Sequence, residues 1–142
     1  MALITAELNQ SPLKGGQRLP RRVFERALAE CERALRPRVP MALSIAFIGA
    51  RDMRRLNKRW RGSDRVTDVL SFEEVEEILL CYTQAKRQAM ERGHSTRDEV
   101  IFLLVHGVLH VFGHDHERSV DAKRMFSIQT KILTRLGVDS RI

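Results

Sequence analysis

The run VIFLLVHGVLHVF (100–112) sets the strongest limit on how this chain can fold. It is apolar nearly all round, so a helix over these residues is expected to be central and buried. Thr96 and Glu99 fit the S/T-x-x-E capping box, in which each side chain satisfies a backbone N–H at the helix start. Gly113 supplies the left-handed residue that commonly ends a helix. Two histidines, His106 and His110, lie one turn apart inside this run, and His114 and His116 follow the glycine.

The remaining elements are read around that helix. ALITAEL (2–8) alternates like a first strand, and SPLKGG is a loop. Pro20 suits the first turn of a helix whose buried stripe is Phe24, Leu28, Cys31 and Leu35. PRVP (37–40) stops that helix. ALSIAFI (42–48) places Leu43, Ile45 and Phe47 on one face of a strand. Residues 51–60 read as a short basic helix anchored by Met53 and Leu56. TDVLSF (67–72) and EILLCY (77–82) are further strands, and a helix over 83–92 ends at Gly93. A last helix covers 120–136, with Ala122, Met125, Phe126, Gln129, Ile132, Leu133 and Leu136 on one stripe and Gly137 after it. Strands and helices without regular alternation predict an α+β fold: a small mixed β-sheet packed against helices, with the histidine helix at the centre.

With 142 residues, one domain over 1–142 is expected, long enough to bury a core. A hydrophobic fraction of 43% with 30% charged residues excludes a disordered chain. No apolar run approaches the roughly 20 residues of a membrane-spanning helix. The N-terminal residues lack the basic start and apolar stretch of a secretory signal, which points to the cytoplasm. Cys31 and Cys81 form no disulfide framework and sit among apolar residues, as buried free thiols do. The net charge of +7 favours polyanions as partners. Much of it is concentrated in GARDMRRLNKRWRGSDR, where Arg51, Arg54, Arg55, Lys58, Arg59, Arg61 and Arg65 face only Asp52 and Asp64. That stretch is either a solvated helix face or a surface for RNA or phosphate.

His106 and His110 project from one face of the central helix, and two imidazoles so placed can share one ion. Zinc binds nitrogen at about 2.0–2.1 Å and prefers tetrahedral geometry. After Gly113 turns the chain back, His116 can arrive as a third ligand, leaving the fourth position for water as in a catalytic site. The spacing matches H-E-x-x-H-x-x-G-x-x-H, a three-histidine zinc pattern. Core histidines bonded to backbone carbonyls are the competing reading. His114 is a rival ligand, an acid–base group or a surface residue. A zinc peptidase needs Glu directly after the first histidine as general base. Here that position is Gly107, which removes the base and admits a close neighbour, either backbone or substrate.

Three ordered motifs resemble the YbeY-type endoribonucleases of bacterial ribosomal RNA maturation. HGVLHVFGHDH (106–116) matches H-G-x-L-H-x-x-G-[aromatic]-D-H. NKRWRGSDRVTDVLSF (57–72) matches the upstream block, and Gly93-His94-Ser95 matches the G-H-S ahead of the helix. The resemblance extends over residues 57–116. It implies one zinc bound by His106, His110 and His116, and a functionally important arginine at Arg61. It also implies ribosomal RNA as substrate, in 3′-end processing of the small-subunit RNA and in ribosome quality control. The implied partners are the small ribosomal subunit and an Era-type GTPase.

The expected chemistry is hydrolysis of an RNA phosphodiester, with catalytic zinc bringing bound water to a pKa near 7. Arg61 would grip the phosphate as charge builds up, while Lys58, Arg59 and Arg65 hold the RNA backbone. His94 and Ser95 either cap and orient the helix or line the cleft. Asp115 is placed to act near the ligands or to orient one of them. Trp60 is read as a core residue, with base stacking as the alternative. Two other function classes are a ribosome-assembly factor with a structural zinc and a zinc hydrolase of another substrate. Two features depart from the family pattern: His114 replaces a more usual tyrosine, and EEVEE (73–77) is short for the loop there. With no Gly, Pro, Asn or Asp, those five residues are poor turn chemistry. A loop missing between Phe72 and Ile78 is therefore expected.

Overall fold

The computed structural model describes residues 2–113 and 119–140. Strand β1 (Ile4–Asn9) leads through helix α1 (Arg21–Leu35) to strand β2 (Met41–Phe47), and helix α2 (Ala50–Arg61) follows. Strands β3 (Val69–Phe72) and β4 (Glu77–Leu80) form a hairpin. Helices α3 (Tyr82–Arg92), α4 (Thr96–Val111) and α5 (Ser119–Leu136) complete the order. The four strands lie in the order β1-β2-β4-β3. The β1–β2 and β2–β4 pairs are parallel and β3–β4 is antiparallel. This is the α+β class with a small mixed sheet that the sequence predicts.

The two-residue period of the strands sorts side chains between two cores. Leu43, Ile45 and Phe47 of β2, with Ile78 and Leu80 of β4, join α1, α4 and α5 in the larger one. Leu70 and Leu79 point the other way, where they meet Met53 of α2 and Cys81. Helix α4 packs against β3 and β4 and against α1, α3 and α5, and Val100 to Val105, Val108, Leu109 and Val111 are all buried along it. The two cysteines are free and buried, as expected. Among the described residues no helix is long and apolar enough to cross a membrane.

Several expectations need correcting. Pro20 is the N-cap of α1, just outside its first turn. The cap of α4 is Ser95, whose Oγ accepts from the Asp98 N–H at 3.0 Å, so the start lies one residue earlier than the Thr96–Glu99 box supposes. That shift of one residue turns Glu99 inward, where it is fully buried. Trp60 is no core residue, being 55% exposed. Phe126 belongs to the α5 stripe in sequence yet is 48% exposed, because it stands at the rim of the cleft described below.

The chain runs continuously through a single 3-10 turn (Glu73–Val75), and the Glu76 N–H donates to the Glu73 carbonyl at 3.3 Å. Glu76 then takes φ +50, the left-handed position that Gly or Asn usually fills. A glutamate there carries about 1–2 kcal/mol of strain. The hairpin closes regardless, because β4 is hydrogen-bonded on both sides, to β2 and to β3, with Phe72 opposite Glu77.

Candidate functional site

A cleft of about 770 Å³ opens between α4, strand β3, the middle of α5 and the ends of α2 and α3. Its lining includes His106, His110, Arg61, Arg92, Asp68 and Gln129. The two histidines follow from α4 itself: four residues apart on one helix, their ring centroids are 4.6 Å apart. Their Nε2 atoms face each other at 3.0 Å.

The tautomer of His106 is set by Gln129. This glutamine is 2% exposed on α5, and its Oε1 lies 2.9 Å from His106 Nδ1. A carboxamide oxygen only accepts, so Nδ1 carries the proton and Nε2 keeps a lone pair turned toward His110. Two ligand nitrogens around a tetrahedral zinc stand about 3.3 Å apart. The pair is therefore spaced to share such an ion, with Gln129 as the outer-shell acceptor that metal-bound histidines generally have. The proposed third ligand, His116, lies outside the described residues, together with His114 and Asp115. Among the described residues no three His, Cys, Asp or Glu side chains gather around one point.

Gly107 faces the sheet. A Cβ built on it would stand 2.9 Å from Ile78 Cγ2 and 3.2 Å from Ser71 Oγ. The close neighbours are thus side chains of the sheet, neither the backbone nor the substrate that the sequence suggests at this position. A glutamate here would have no room, so the position cannot hold a general base.

Arg61 ends α2 and reaches into the cleft. Its Nη2 donates to the Ser71 carbonyl at 2.7 Å and its Nη1 to the Trp60 carbonyl at 3.3 Å. The guanidinium also lies over the Phe72 ring, 5.1 Å from its centroid. Five N–H donors and two bonds among the described residues leave three donors for a ligand. Gly62, at φ +72, terminates α2 immediately afterwards.

The three expected RNA-binding residues do not share the histidine cleft. Lys58 is exposed beside Asp64, at 4.0 Å. The Arg59 guanidinium sits over the Trp60 ring at 5.3 Å. Arg65 lines a second groove of about 740 Å³ with Thr83, Gln84 and Arg87. The two grooves meet at Thr67 and Asp68, which line both.

His94 and Ser95 anchor the start of α4 and are not among the residues lining the histidine cleft. Ser95 is its cap, and His94 Nε2 lies 2.5 Å from Glu99 Oε1. The buried Glu99 carboxylate also accepts from Arg92 Nη1 at 2.7 Å and from Gln88 Nε2 at 3.0 Å. Gln88 Nε2 is in turn 3.0 Å from Asp68 Oδ2. A carboxylate taken out of water needs such partners to offset the lost hydration. Arg92 is thereby held at the cleft, its guanidinium 5.7 Å from the Phe102 ring. Phe102 stacks on His106, with 10° between the planes. Sequence reasoning missed Arg92, Gln129 and Glu99. The signals were there: one glutamine in an apolar stripe, and one glutamate at the start of an apolar helix.

Fold and site together define an α+β protein whose buried central helix presents a pair of imidazoles to a cleft rimmed by guanidinium groups. The model of the Endoribonuclease YbeY family matches residues 7–137, and the chain belongs to that family. It is 43% identical over 105 residues to an Endoribonuclease YbeY from a Sulfurihydrogenibium species, covering 66% of this chain and 69% of that protein. Against the Endoribonuclease YbeY of Myxococcus xanthus it is 36% identical over 132 residues. That match takes in 82% of this chain but only 45% of the Myxococcus protein, so the chain spans less than half of that relative. The solution structure of a Thermotoga maritima protein shares the fold, with a TM-score of 0.61 over 94% of this chain and 91% of that one, at 22% identity.

Proposed function

We propose that this chain is a metal-dependent endoribonuclease that cleaves single-stranded segments of ribosomal RNA. Its place would be the cytoplasm, in 3′-end maturation of the small-subunit RNA and in ribosome quality control. The small ribosomal subunit and an Era-type GTPase would be its partners, and residues 1–142 would act as one domain. The observation that carries this reading is the sharing of one cleft by the His106–His110 pair and Arg61. The family to which the chain belongs supports it.

His106, His110 and, from the sequence pattern, His116 would hold one zinc ion. When bound, zinc supplies a Lewis acid for a phosphoryl oxygen and lowers the pKa of coordinated water toward 7. Gln129 keeps the His106 proton on Nδ1, so that Nε2 is available as a ligand. Arg61 is permanently charged, and its carbonyl anchors hold the guanidinium at the cleft before substrate arrives. Its remaining donors bind a phosphate oxygen and stabilise the charge that grows there in the transition state. Arg92, fixed by Glu99, adds a second cation to the same cleft. Lys58, Arg59 and Arg65 hold phosphates on either side. Proteolysis is disfavoured because Gly107 packs against Ile78, where a peptidase would carry its carboxylate.

The test compares wild type, His110→Ala and Arg61→Ala on a structured ribosomal RNA fragment and on a peptide pool, with bound zinc measured in each. Arg61→Ala is expected to keep zinc and lose about 10²- to 10³-fold in RNA cleavage, as when one transition-state donor is removed. His110→Ala is expected to lose both. Full RNA cleavage by the zinc-free variant, or cleavage of peptides instead, would refute the proposal.

A further inference from the structure

Trp60 is the only tryptophan of the chain, and no core claims it. It stands one residue before Arg61, so its place is tied to the cleft through both backbone and ring contacts. The indole meets Phe72 edge to face, with centroids 6.2 Å apart and planes at 78°. Phe72 also carries the Arg61 guanidinium at 5.1 Å. Indole, phenyl ring and guanidinium thus form one continuous surface that runs from open solvent to the cleft rim. The Arg59 guanidinium lies against the indole at 5.3 Å, and Lys58 is exposed on the same turn of helix.

An exposed indole among cations is a poor match for most ligands. A small phosphate would use the charges and ignore the ring. A base-paired helix would offer phosphates, but its base faces are covered by their neighbours. An unpaired strand offers both a flat π-face and a phosphate at each nucleotide, and aromatic rings among basic residues are how such strands are held without reading sequence.

We propose that Trp60 is a stacking platform for one unpaired nucleobase, adjacent to the phosphate gripped by Arg61. The platform restricts the cleft to strands that are unpaired at that nucleotide. This inference rests on the ribonuclease reading and adds a base-binding subsite to it.

Because there is one tryptophan, its fluorescence reports this subsite alone. The intact protein is titrated with a short single-stranded 2′-O-methyl oligouridylate, with its abasic counterpart, and with the same strand in a duplex. Saturable quenching is expected with the first and not with the other two. Affinities of Trp60→Leu and Trp60→Phe are then measured by anisotropy of a labelled strand, after circular dichroism has shown the wild-type fold. Trp60→Leu should weaken binding of the base-bearing strand about 5- to 150-fold and leave the abasic strand unaffected. Trp60→Phe should recover most of the loss. An equal loss on both strands, or no loss on either while RNA cleavage persists, overturns the stacking platform and leaves the ribonuclease reading standing. Failure of every strand to bind, with no RNA cleavage, removes both.

Discussion

Gly107 gives the sharpest test of how α4 is seated. In an isolated helix, Gly107→Ala would gain about 0.8–1 kcal/mol of propensity. In this fold the new methyl would stand 2.9 Å from Ile78 Cγ2, 3.2 Å from Ser71 Oγ and 3.4 Å from Ile78 Cδ1. The serine hydroxyl can rotate away. Ile78 cannot, since it is β-branched, fully buried, and on a strand bonded on both sides. Helix and sheet must therefore separate by a few tenths of an ångström, and overpacking of this kind costs about 1–3 kcal/mol. The net expectation is a loss of about 0–2 kcal/mol, or roughly 3–5 °C in Tm for each kcal/mol at this chain length. Urea denaturation measures it, as a lower midpoint with an unchanged slope. Ile78→Leu moves the branch from Cβ to Cγ and removes the closest methyl. In that background Gly107→Ala should become neutral or stabilising, a coupling of about 0.5–2 kcal/mol between the two sites. If Gly107→Ala gains the full propensity in the wild-type background, or behaves identically in both, the close approach of α4 to β4 is refuted.

Burial pushes the Cys31 thiol up to about 12, with Glu30 adding to the shift. The unfolded chain releases this proton near its ordinary value of 9.0, the folded chain only near 12. Stability from this group is complete below about pH 9 and is lost as the pH rises toward 12. Denaturation midpoints should fall over that window in wild type and fall less in Cys31→Ala; parallel curves would contradict it. At Glu76 the left-handed backbone predicts that Glu76→Gly raises stability by about 0.5–1 kcal/mol, the relief of strain exceeding the added freedom of the unfolded chain. A lower urea midpoint in that variant would count against the turn.

The buried helix was legible because thirteen residues with only two imidazoles among apolar neighbours leave no solvent face. Strand β2 and helix α1 were legible through clean periods of two and between three and four. The histidine pair followed from one turn of helix. Trp60 and Phe126 were misread because an apolar side chain at the right period looks the same in sequence whether a neighbouring element covers it or a cleft opens beside it. Glu99 was misread because a cap displaced by one residue leaves the same letters in place. EEVEE is poor turn chemistry because turn propensity is a local preference, and in this fold the pairing of β4 on both edges outweighs the strain at Glu76.

What the sequence determined by itself were the properties carried by near neighbours along the chain: the α4 periodicity, the His106–His110 face, the basic run of α2 and the family pattern. Those depend on helix geometry and charge, which act over a few residues. Only the tertiary structure decided that Arg61 reaches the cleft of the histidines from another helix. It also decided that Gln129 holds the His106 proton, that Glu99 fixes Arg92, and that Gly107 meets Ile78 instead of a substrate. Each of these joins residues from different elements, and such contacts depend on how the elements pack, which a local pattern of side chains does not record.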